Sequence, residues 1–257
     1  MQVIRIFILV ADLSYYRYND TSNKNRRQRS YQVMNKRYWW ILAVYLIIQI
    51  TSSLGVFCVM VMKQFRPVSD QQANVIVSNW SIGIFIIGAF IVLLLLRNAP
   101  STTYIDRQPK MAWTKSIWFI IGGVFVAFIT QAITSTITAI INGGLEQSEN
   151  TANLMGVLFE NPLFIVLIVF VAPFLEEIIF RKVIFGALTN KMPVASAALV
   201  SAVIFAVIHF DFSYLLVYTG MGLVFAYFYY KTKRIYVSYA IHMLMNAVVA
   251  LAGSLQN

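Results

Sequence analysis

Long apolar stretches separated by short polar segments run along most of the chain. Seven of these stretches are long enough to cross a membrane as helices, because a hydrocarbon core of about 30 Å needs roughly 20 residues. We predict spans over residues 38–62, 76–96, 116–141, 162–188, 193–210, 213–230 and 235–253. Since the spans lack the two-residue alternation of membrane β-strands, the predicted fold class is an all-α, polytopic membrane helix bundle.

The composition supports the same interpretation. Hydrophobic residues make up 59% of the 257 positions and charged residues only 12%, which is far more apolar than a soluble domain. We therefore expect the lipid bilayer to surround most of the protein. The single cysteine, Cys58, excludes an intramolecular disulfide and is interpreted as a small apolar residue.

The chain divides into three regions. Residues 1–37 form a basic N-terminal segment, and its first 13 residues are an apolar stretch too short to span, which we expect at the membrane interface. No small-residue cleavage pattern follows that stretch, so we expect no cleaved signal peptide. Residues 38–150 hold the N-terminal transmembrane helices, and residues 151–257 form a C-terminal membrane core.

The lysines and arginines orient the predicted spans. Eighteen of the 20 fall on one set of alternating sides: eight before the first span, four in 97–115, three in 181–191 and three in 231–234. By the positive-inside rule this set is cytoplasmic, which places the N-terminus inside and the C-terminus outside. The connection 142–160, on the opposite side, has three glutamates and no basic residue. The net charge of +10 follows from this asymmetry, so we expect no nucleic-acid partner.

Two acids and both histidines of the chain lie inside predicted spans. Glu176 and Glu177 are adjacent at the end of an apolar run in the fourth span. Burying such charges in hydrocarbon is costly, so they mark a functional site. Both histidines of the chain, His209 and His242, also fall in spans. A lone histidine there often only bonds two helices together, but two of them beside two acids indicate a chemical site.

Spacing assigns different positions to the two acids. Glu177 and Arg181 are four residues apart and share a helix face, so we expect them to pair. Glu176 points about 100° away and is the candidate general base. In the alternative interpretation, both acids pair with Arg181 and Lys182 and only fix a helix near the cytoplasmic surface.

Two further spacings surround the histidines. His242 and Asn246 are four residues apart and project from one helix face. The amide is able to donate to a developing oxyanion or to complete a ligand set, or it makes only a hydrogen bond between helices. Phe205 precedes His209 by one turn and is expected to cover its ring.

These motifs resemble those of a known family. Glu-Glu-x-x-x-Arg at 176–181, Phe-x-x-x-His at 205–209 and His-x-x-x-Asn at 242–246 occur in this order on successive predicted spans. The three together are similar to the motifs of the CPBP intramembrane proteases, which include the type II CAAX prenyl proteases and the bacteriocin-processing and Abi proteins. The resemblance covers roughly residues 160–250, and it implies that region 151–257 is the catalytic membrane core.

The resemblance implies hydrolysis of a peptide bond within or near the membrane, with a peptide or membrane protein as substrate. Glu176 would activate the water, and Glu177 and Arg181 would hold the site together. The remaining residues would bind a metal or the water and stabilise the oxyanion: His209, His242 and Asn246. The family's distribution favours a bacterial plasma membrane as the location.

The use of a metal stays open in the sequence. Two imidazoles and a carboxylate suit zinc with an open water position, and the family is usually described as metalloproteases. The candidate ligands for Zn²⁺ or another divalent metal are Glu176, His209, His242 and Asn246. The His-Glu-x-x-His spacing of many zinc proteases is absent, and the same residues are able to work without a metal.

Two other classes of protein place acids and histidines in spans. A transporter or proton relay is one, but the chain lacks repeated halves and paired broken helices. A non-catalytic membrane protein that acts in bacteriocin immunity or regulates another membrane protein is the other. The protease hypothesis differs from both in predicting that Glu176→Gln abolishes processing but not folding.

The predicted boundaries contain one conflict. His209 lies near the outer end of its span, whereas His242 lies closer to the cytoplasmic side of its own. For straight helices the offset along the membrane normal is about 10–15 Å. We therefore expect a misplaced boundary or a bent helix, with Pro173, Gly220 and Gly222 as candidate kinks.

Overall fold

The structure is a computed structural model that describes residues 34–97, 99–100, 103–144 and 147–255. All regular elements among these residues are helical, which confirms the all-α membrane bundle expected from the sequence. The interfacial stretch 1–13 and most of the basic segment 1–37 lie outside the described residues, so both stay predictions.

In chain order the helices are α1 (Lys36–Phe65), α2 (Asp70–Arg97), α3 (Trp113–Asn142), α4 (Glu149–Glu160), α5 (166–188), α6 (Val194–Val207), α7 (Leu215–Thr232) and α8 (Ile235–Ser254). In the described part of the chain, α1, α2, α3, α7 and α8 are the five that are long and apolar enough to cross a membrane, α7 together with a short 3₁₀ turn before it. All seven predicted spans coincide with helices of this bundle. The largest boundary error is at α2, which begins at Asp70 rather than residue 76.

Helix α5 changes its hydrogen-bonding pattern along its length. Val166–Val171 and Glu177–Phe185 are π-helical, whereas Ala172–Glu176 and Gly186–Leu188 are α-helical. Pro173 lies at the start of the first α-helical segment, where its missing N–H removes a donor from the ladder. The two glutamates lie where the first α-helical segment ends and the second π-helical segment begins. Because π-helical turns occur frequently at functional sites, this part of α5 is a candidate functional site.

Side chains from neighbouring helices bond to the carbonyl groups of the π-helical turns. Ser201 of α6 donates to the carbonyl oxygen of Phe180 at 2.6 Å, and the hydroxyl of Tyr239 on α8 donates to that of Phe170 at 3.3 Å. Backbone carbonyls in a membrane need such partners. The packing of α6 and α8 therefore helps α5 to depart from regular α-helical geometry.

The connection 142–160, in which the sequence analysis predicts no helix, is not a plain loop. It contains α4, and the helix starts after Ser148, whose Oγ accepts a hydrogen bond from the backbone N of Thr151 at 3.1 Å. Met155 and Leu158 are buried against α5 and α8. A serine cap followed by apolar residues at helical spacing is the sequence signal for this helix.

The conflict between the two histidines is explained by the end of α6. This helix ends at Val207, three residues before the predicted boundary, and the chain then reverses direction with Phe210 at a φ of 55°. His209 therefore lies in the turn after the helix and not within it. Helix α7 continues through Gly220 and Gly222, so neither residue interrupts it.

The largest buried cluster fills the half of the bundle that carries most of the basic residues, and we call it the basic-side cluster. It joins the first half of α1 to α5, α6 and α7. Its members at the far end from the histidines include Tyr38, Ile41, Ile105, Phe185, Leu188 and Tyr229. This packing leaves the opposite half of the bundle to hold the site.

Candidate active site

Glu177 and Arg181 form a buried ion pair on α5, as their four-residue spacing predicts. Arg181 Nη1 lies 3.3 Å from Glu177 Oε1, and the two side chains are 1% and 0% exposed. The guanidinium carbon lies 4.3 Å from the ring centroid of Phe205 and 5.0 Å from that of Phe225. Since ring faces attract cations, α6 and α7 also hold Arg181 in place.

Lys182 has a different partner from the two acids. Its Nζ lies 2.9 Å from Oδ1 of Asp106, and Tyr38 donates its hydroxyl to Oδ2 of the same aspartate at 3.1 Å. The alternative in which both Arg181 and Lys182 pair with the acids is therefore wrong for Lys182.

His242 lies between the two carboxylates. Its Nδ1 is 3.1 Å from Glu177 Oε1, and its Nε2 is 3.7 Å from Glu176 Oε2. Because an ionised carboxylate only accepts, Nδ1 donates in the first contact, and Nε2 of a neutral ring then presents a lone pair toward Glu176. Phe225 stacks on the imidazole with ring centroids 4.5 Å apart. No spacing along the chain indicates this contact between α5 and α8.

His209 is held by its own turn and by two aromatic rings. Its Nδ1 donates to the carbonyl oxygen of Phe205 at 2.7 Å, which leaves the Nε2 lone pair of a neutral ring for other partners. Phe205 also contacts the imidazole edge-on at 4.7 Å, as the one-turn spacing predicts. Tyr218 stacks on it, with centroids 4.2 Å apart and planes 19° apart.

Tyr218 is a site residue that the sequence analysis missed. Its hydroxyl accepts a hydrogen bond from Nδ2 of Asn150 at 3.1 Å and lies 3.1 Å from Ser148 Oγ. Ser148 in turn donates to Oδ2 of Asp211 at 2.6 Å. The ring that stacks on His209 is thus connected to the start of α4. Tyr218 lies in an aromatic-rich helix, and no spacing singles it out there.

Asn246 makes the contact between helices that its alternative interpretation predicts. Its Nδ2 donates to the carbonyl oxygen of Ile168, in the first π-helical segment, at 2.9 Å. An amide nitrogen has two N–H groups, so the second N–H and Oδ1 remain for other partners. Asn246 is therefore able to bond to α5 and also to take part in the reaction.

A cavity of about 970 Å³ brings together four of the six predicted site residues. Its wall includes Glu176, His209, His242 and Asn246. Glu177 and Arg181 are buried behind the wall. Glu176 thus faces the cavity and Glu177 faces the protein interior, as their positions on the helix predict. The wall also contains polar side chains from the N-terminal helices that the sequence analysis did not assign to the site, among them Gln49, Ser53 and Gln131.

The donor atoms do not fit a metal centre in this arrangement. Within the residues that the structure describes, no group of three or more His, Cys, Asp or Glu side chains lies close enough to hold a metal ion. Glu176 and His242 are adjacent, but a zinc site needs three or four such ligands. The sequence leaves the use of a metal open, and chelation of the purified protein tests it.

A family model matches the part of the chain that contains the site. It is described as "Type II CAAX prenyl endopeptidase Rce1-like", and it covers residues 158–248, which include all six predicted site residues. No solved structure matches the chain.

Several bacterial proteins are similar in sequence. YdiL of Bacillus subtilis, whose name describes a membrane peptidase, is 37% identical over 222 residues, which are 85% of this chain and 89% of YdiL. The membrane-embedded CAAX protease MroQ of Staphylococcus aureus is 34% identical over 174 residues, 65% of this chain and 70% of MroQ. The UPF0177 protein YxdF of Lactococcus lactis is 26% identical over 159 residues, 61% of this chain and 88% of YxdF.

Proposed function

This chain belongs to the family of type II CAAX proteases, and on that premise we propose that it is an intramembrane endopeptidase. It cleaves a membrane-associated peptide or protein by means of a water molecule that Glu176 activates. The observation that carries the proposal is the position of Glu176, which shares the cavity wall with both histidines and Asn246. We place the protein in a bacterial plasma membrane, with its N-terminus inside.

The proposed reaction begins with proton transfer to Glu176, whose side chain is 18% exposed and faces the cavity. The carboxylate takes a proton from the water while the water oxygen forms a bond to the carbonyl carbon of the peptide. The tetrahedral intermediate then breaks at its C–N bond. Glu176 returns the proton to the departing nitrogen, so the enzyme ends in its starting state.

The hydrogen bonds of the two histidines determine what they are able to do. Each uses Nδ1 on a protein oxygen, so each neutral ring presents the Nε2 lone pair. A lone pair accepts from water but does not stabilise an oxyanion. We therefore assign orientation of the water to His209 and His242, and stabilisation of the oxyanion to the second N–H of Asn246.

Glu177 and Arg181 are positioning residues in this proposal. Glu177 accepts the Nδ1 hydrogen of His242, which fixes the tautomer and the orientation of the ring. Arg181 neutralises Glu177 and is itself enclosed by aromatic rings. Neither side chain belongs to the cavity wall, so neither touches the substrate.

The test compares cells that express the wild-type chain, Glu176→Gln or Glu149→Gln as their sole copy. Glu149 lies in the first turn of α4 and outside the cavity wall, so it is a matched control for the same chemical change. Mass spectrometry of peptide N-termini in membranes and medium should find new N-termini with the wild-type and control chains. Glu176→Gln should reduce them at least about 100-fold, the usual minimum for losing a general base.

The amount of each variant in the membrane is measured in the same samples, because a fall in protein level would also reduce cleavage. Any peptide found in this way is then cleaved by purified protein in proteoliposomes. If Glu176→Gln retained processing or the full biological effect of the wild-type chain, the protease proposal would be refuted. A non-catalytic role in bacteriocin immunity or in regulating another membrane protein would then explain the data.

A further inference from the structure

The wall of the active-site cavity comes from one half of the bundle. It includes residues within 45–54 in the middle of α1, within 164–176 in and before the first half of α5, and within 242–250 from the middle of α8 onward. It also includes residues between 148 and 155, at the start of α4. The cavity therefore extends from Glu176 toward the connection between α3 and α5.

The opposite half of the bundle is closed by packing. Tyr38, Phe185 and Tyr229 of the basic-side cluster are at most 1% exposed. The ion pair between Lys182 and Asp106, at 2.9 Å, crosses the same region. Because a packed interior leaves no path for water or a peptide, the cavity of the described structure is not entered through this half.

The basic residues identify the closed end as the cytoplasmic one. The described connections at that end, within 97–115, 181–191 and 231–234, contribute no residue to the cavity wall. They also carry most of the lysines and arginines outside the N-terminal segment. By the positive-inside rule these connections face the cytoplasm, so the α4 end faces away from it.

We propose that the active-site cavity is entered from the extracytoplasmic side of the membrane and that it accepts internal, uncharged peptide segments exposed there. This inference rests on the proposed protease function and specifies its substrate class. It places the substrates among exported peptides and the outward-facing parts of membrane proteins.

The charge of the wall supports an internal segment over a chain end. Glu176 is the only Asp, Glu, Lys or Arg side chain among the wall residues that the structure describes. Arg181 forms an ion pair with Glu177 behind the wall. A C-terminal carboxylate would enter the cavity without a cationic partner, and burying an unpaired charge is costly. Gln49 and Gln131 instead offer amide groups to the backbone of an extended peptide.

Single-cysteine variants test the side of entry without requiring activity. In a Cys58→Ala, Glu176→Gln background, Thr151→Cys and Val249→Cys each place one thiol on the cavity wall. Lys110→Cys places one on an exposed residue of the basic side and serves as the matched control. The probe is a membrane-impermeant maleimide, added to intact cells, to inside-out vesicles and to protein unfolded in SDS.

We expect the maleimide to label both wall thiols in intact cells, and to label Lys110→Cys only in inside-out vesicles or after unfolding. Labelling of Lys110→Cys in intact cells would overturn the inference. Wall thiols that react only in inside-out vesicles, or from neither side although they react after unfolding, would overturn it as well. The two wall thiols lie on different helices, so a distortion caused by one substitution would not affect both results.

The cleavage sites provide a second readout. The N-termini that depend on Glu176 should map to extracytoplasmic or outer-leaflet segments, away from the C-terminus of each substrate. Sites confined to cytoplasmic C-terminal tails would overturn this inference but leave the protease function intact. If no N-terminus depended on Glu176, the protease function would fail, while the labelling pattern would still report the side on which the cavity opens.

Discussion

Replacing Glu177 by glutamine should destabilise the protein far more than the same change at Glu176. Glu177 is fully buried, 3.3 Å from Arg181 and 3.1 Å from His242. Glutamine keeps the shape but removes the charge, which leaves a buried guanidinium without a counter-ion. Breaking a buried pair from one side costs about 3–5 kcal/mol. Since the ring faces of Phe205 and Phe225 remain, we expect a loss of about 3 kcal/mol.

Glu176→Gln is the matched control because it makes the identical change one residue away. Glu176 faces the cavity, and its Oε2 lies 3.7 Å from Nε2 of His242, too far for a direct hydrogen bond. We expect its stability to stay within about 1 kcal/mol of the wild-type value. The contrast between the two variants therefore isolates the effect of the surroundings of each carboxylate.

Arg181→Met and the double variant with Glu177→Gln complete a double-mutant cycle. Arg181→Met alone leaves a buried carboxylate and should also cost about 3 kcal/mol. The double variant has no buried charge in this pair, so it should lose about 3–4 kcal/mol instead of roughly 6, a coupling of about 2–3 kcal/mol. Far-UV circular dichroism during titration of mixed micelles with SDS measures each unfolding free energy. Additive losses, or equal stability of Glu176→Gln and Glu177→Gln, would refute the buried-pair argument.

Three further predictions concern the rings, the helix packing and the metal. Tyr218→Leu should lower kcat/KM about 2- to 10-fold because His209 loses its stacking partner, and Tyr218→Phe, which keeps the ring, should restore most of the activity. If Tyr218→Phe lowered kcat/KM as much as Tyr218→Leu, the effect would come from the hydroxyl and not from the ring. Gly222→Ala should cost about 1–3 kcal/mol because the new Cβ would lie 2.8 Å from Cα of Ala202, whereas Gly83→Ala, with nothing within 4 Å, should be neutral or stabilising. The melting temperature in detergent compares these two. EDTA should leave the purified protein active, because the described residues form no three-ligand cluster, and a loss reversed by Zn²⁺ would contradict this arrangement.

Contacts between residues close in sequence were predictable. The pairing of Glu177 with Arg181 and the contact of Phe205 with His209 both follow from a spacing of one helical turn. The α4 helix was missed although Ser148 and the apolar residues after it carry the usual signals of a helix start. The end of α6 was misplaced because the chain stays apolar through the turn, and apolar composition alone does not indicate where a helix stops.

The sequence by itself determined the membrane bundle and indicated the ionisable residues of its candidate site, because bilayer thickness sets the length of a span and ionisable groups within spans are rare. Only the tertiary structure decided that His242 lies between both acids, that Tyr218 stacks on His209, and that the cavity extends toward α4. The physical reason is that lipid-facing and core-facing positions are both apolar in a membrane helix. The sequence therefore shows that a helix spans, but not which of its faces meets which neighbour.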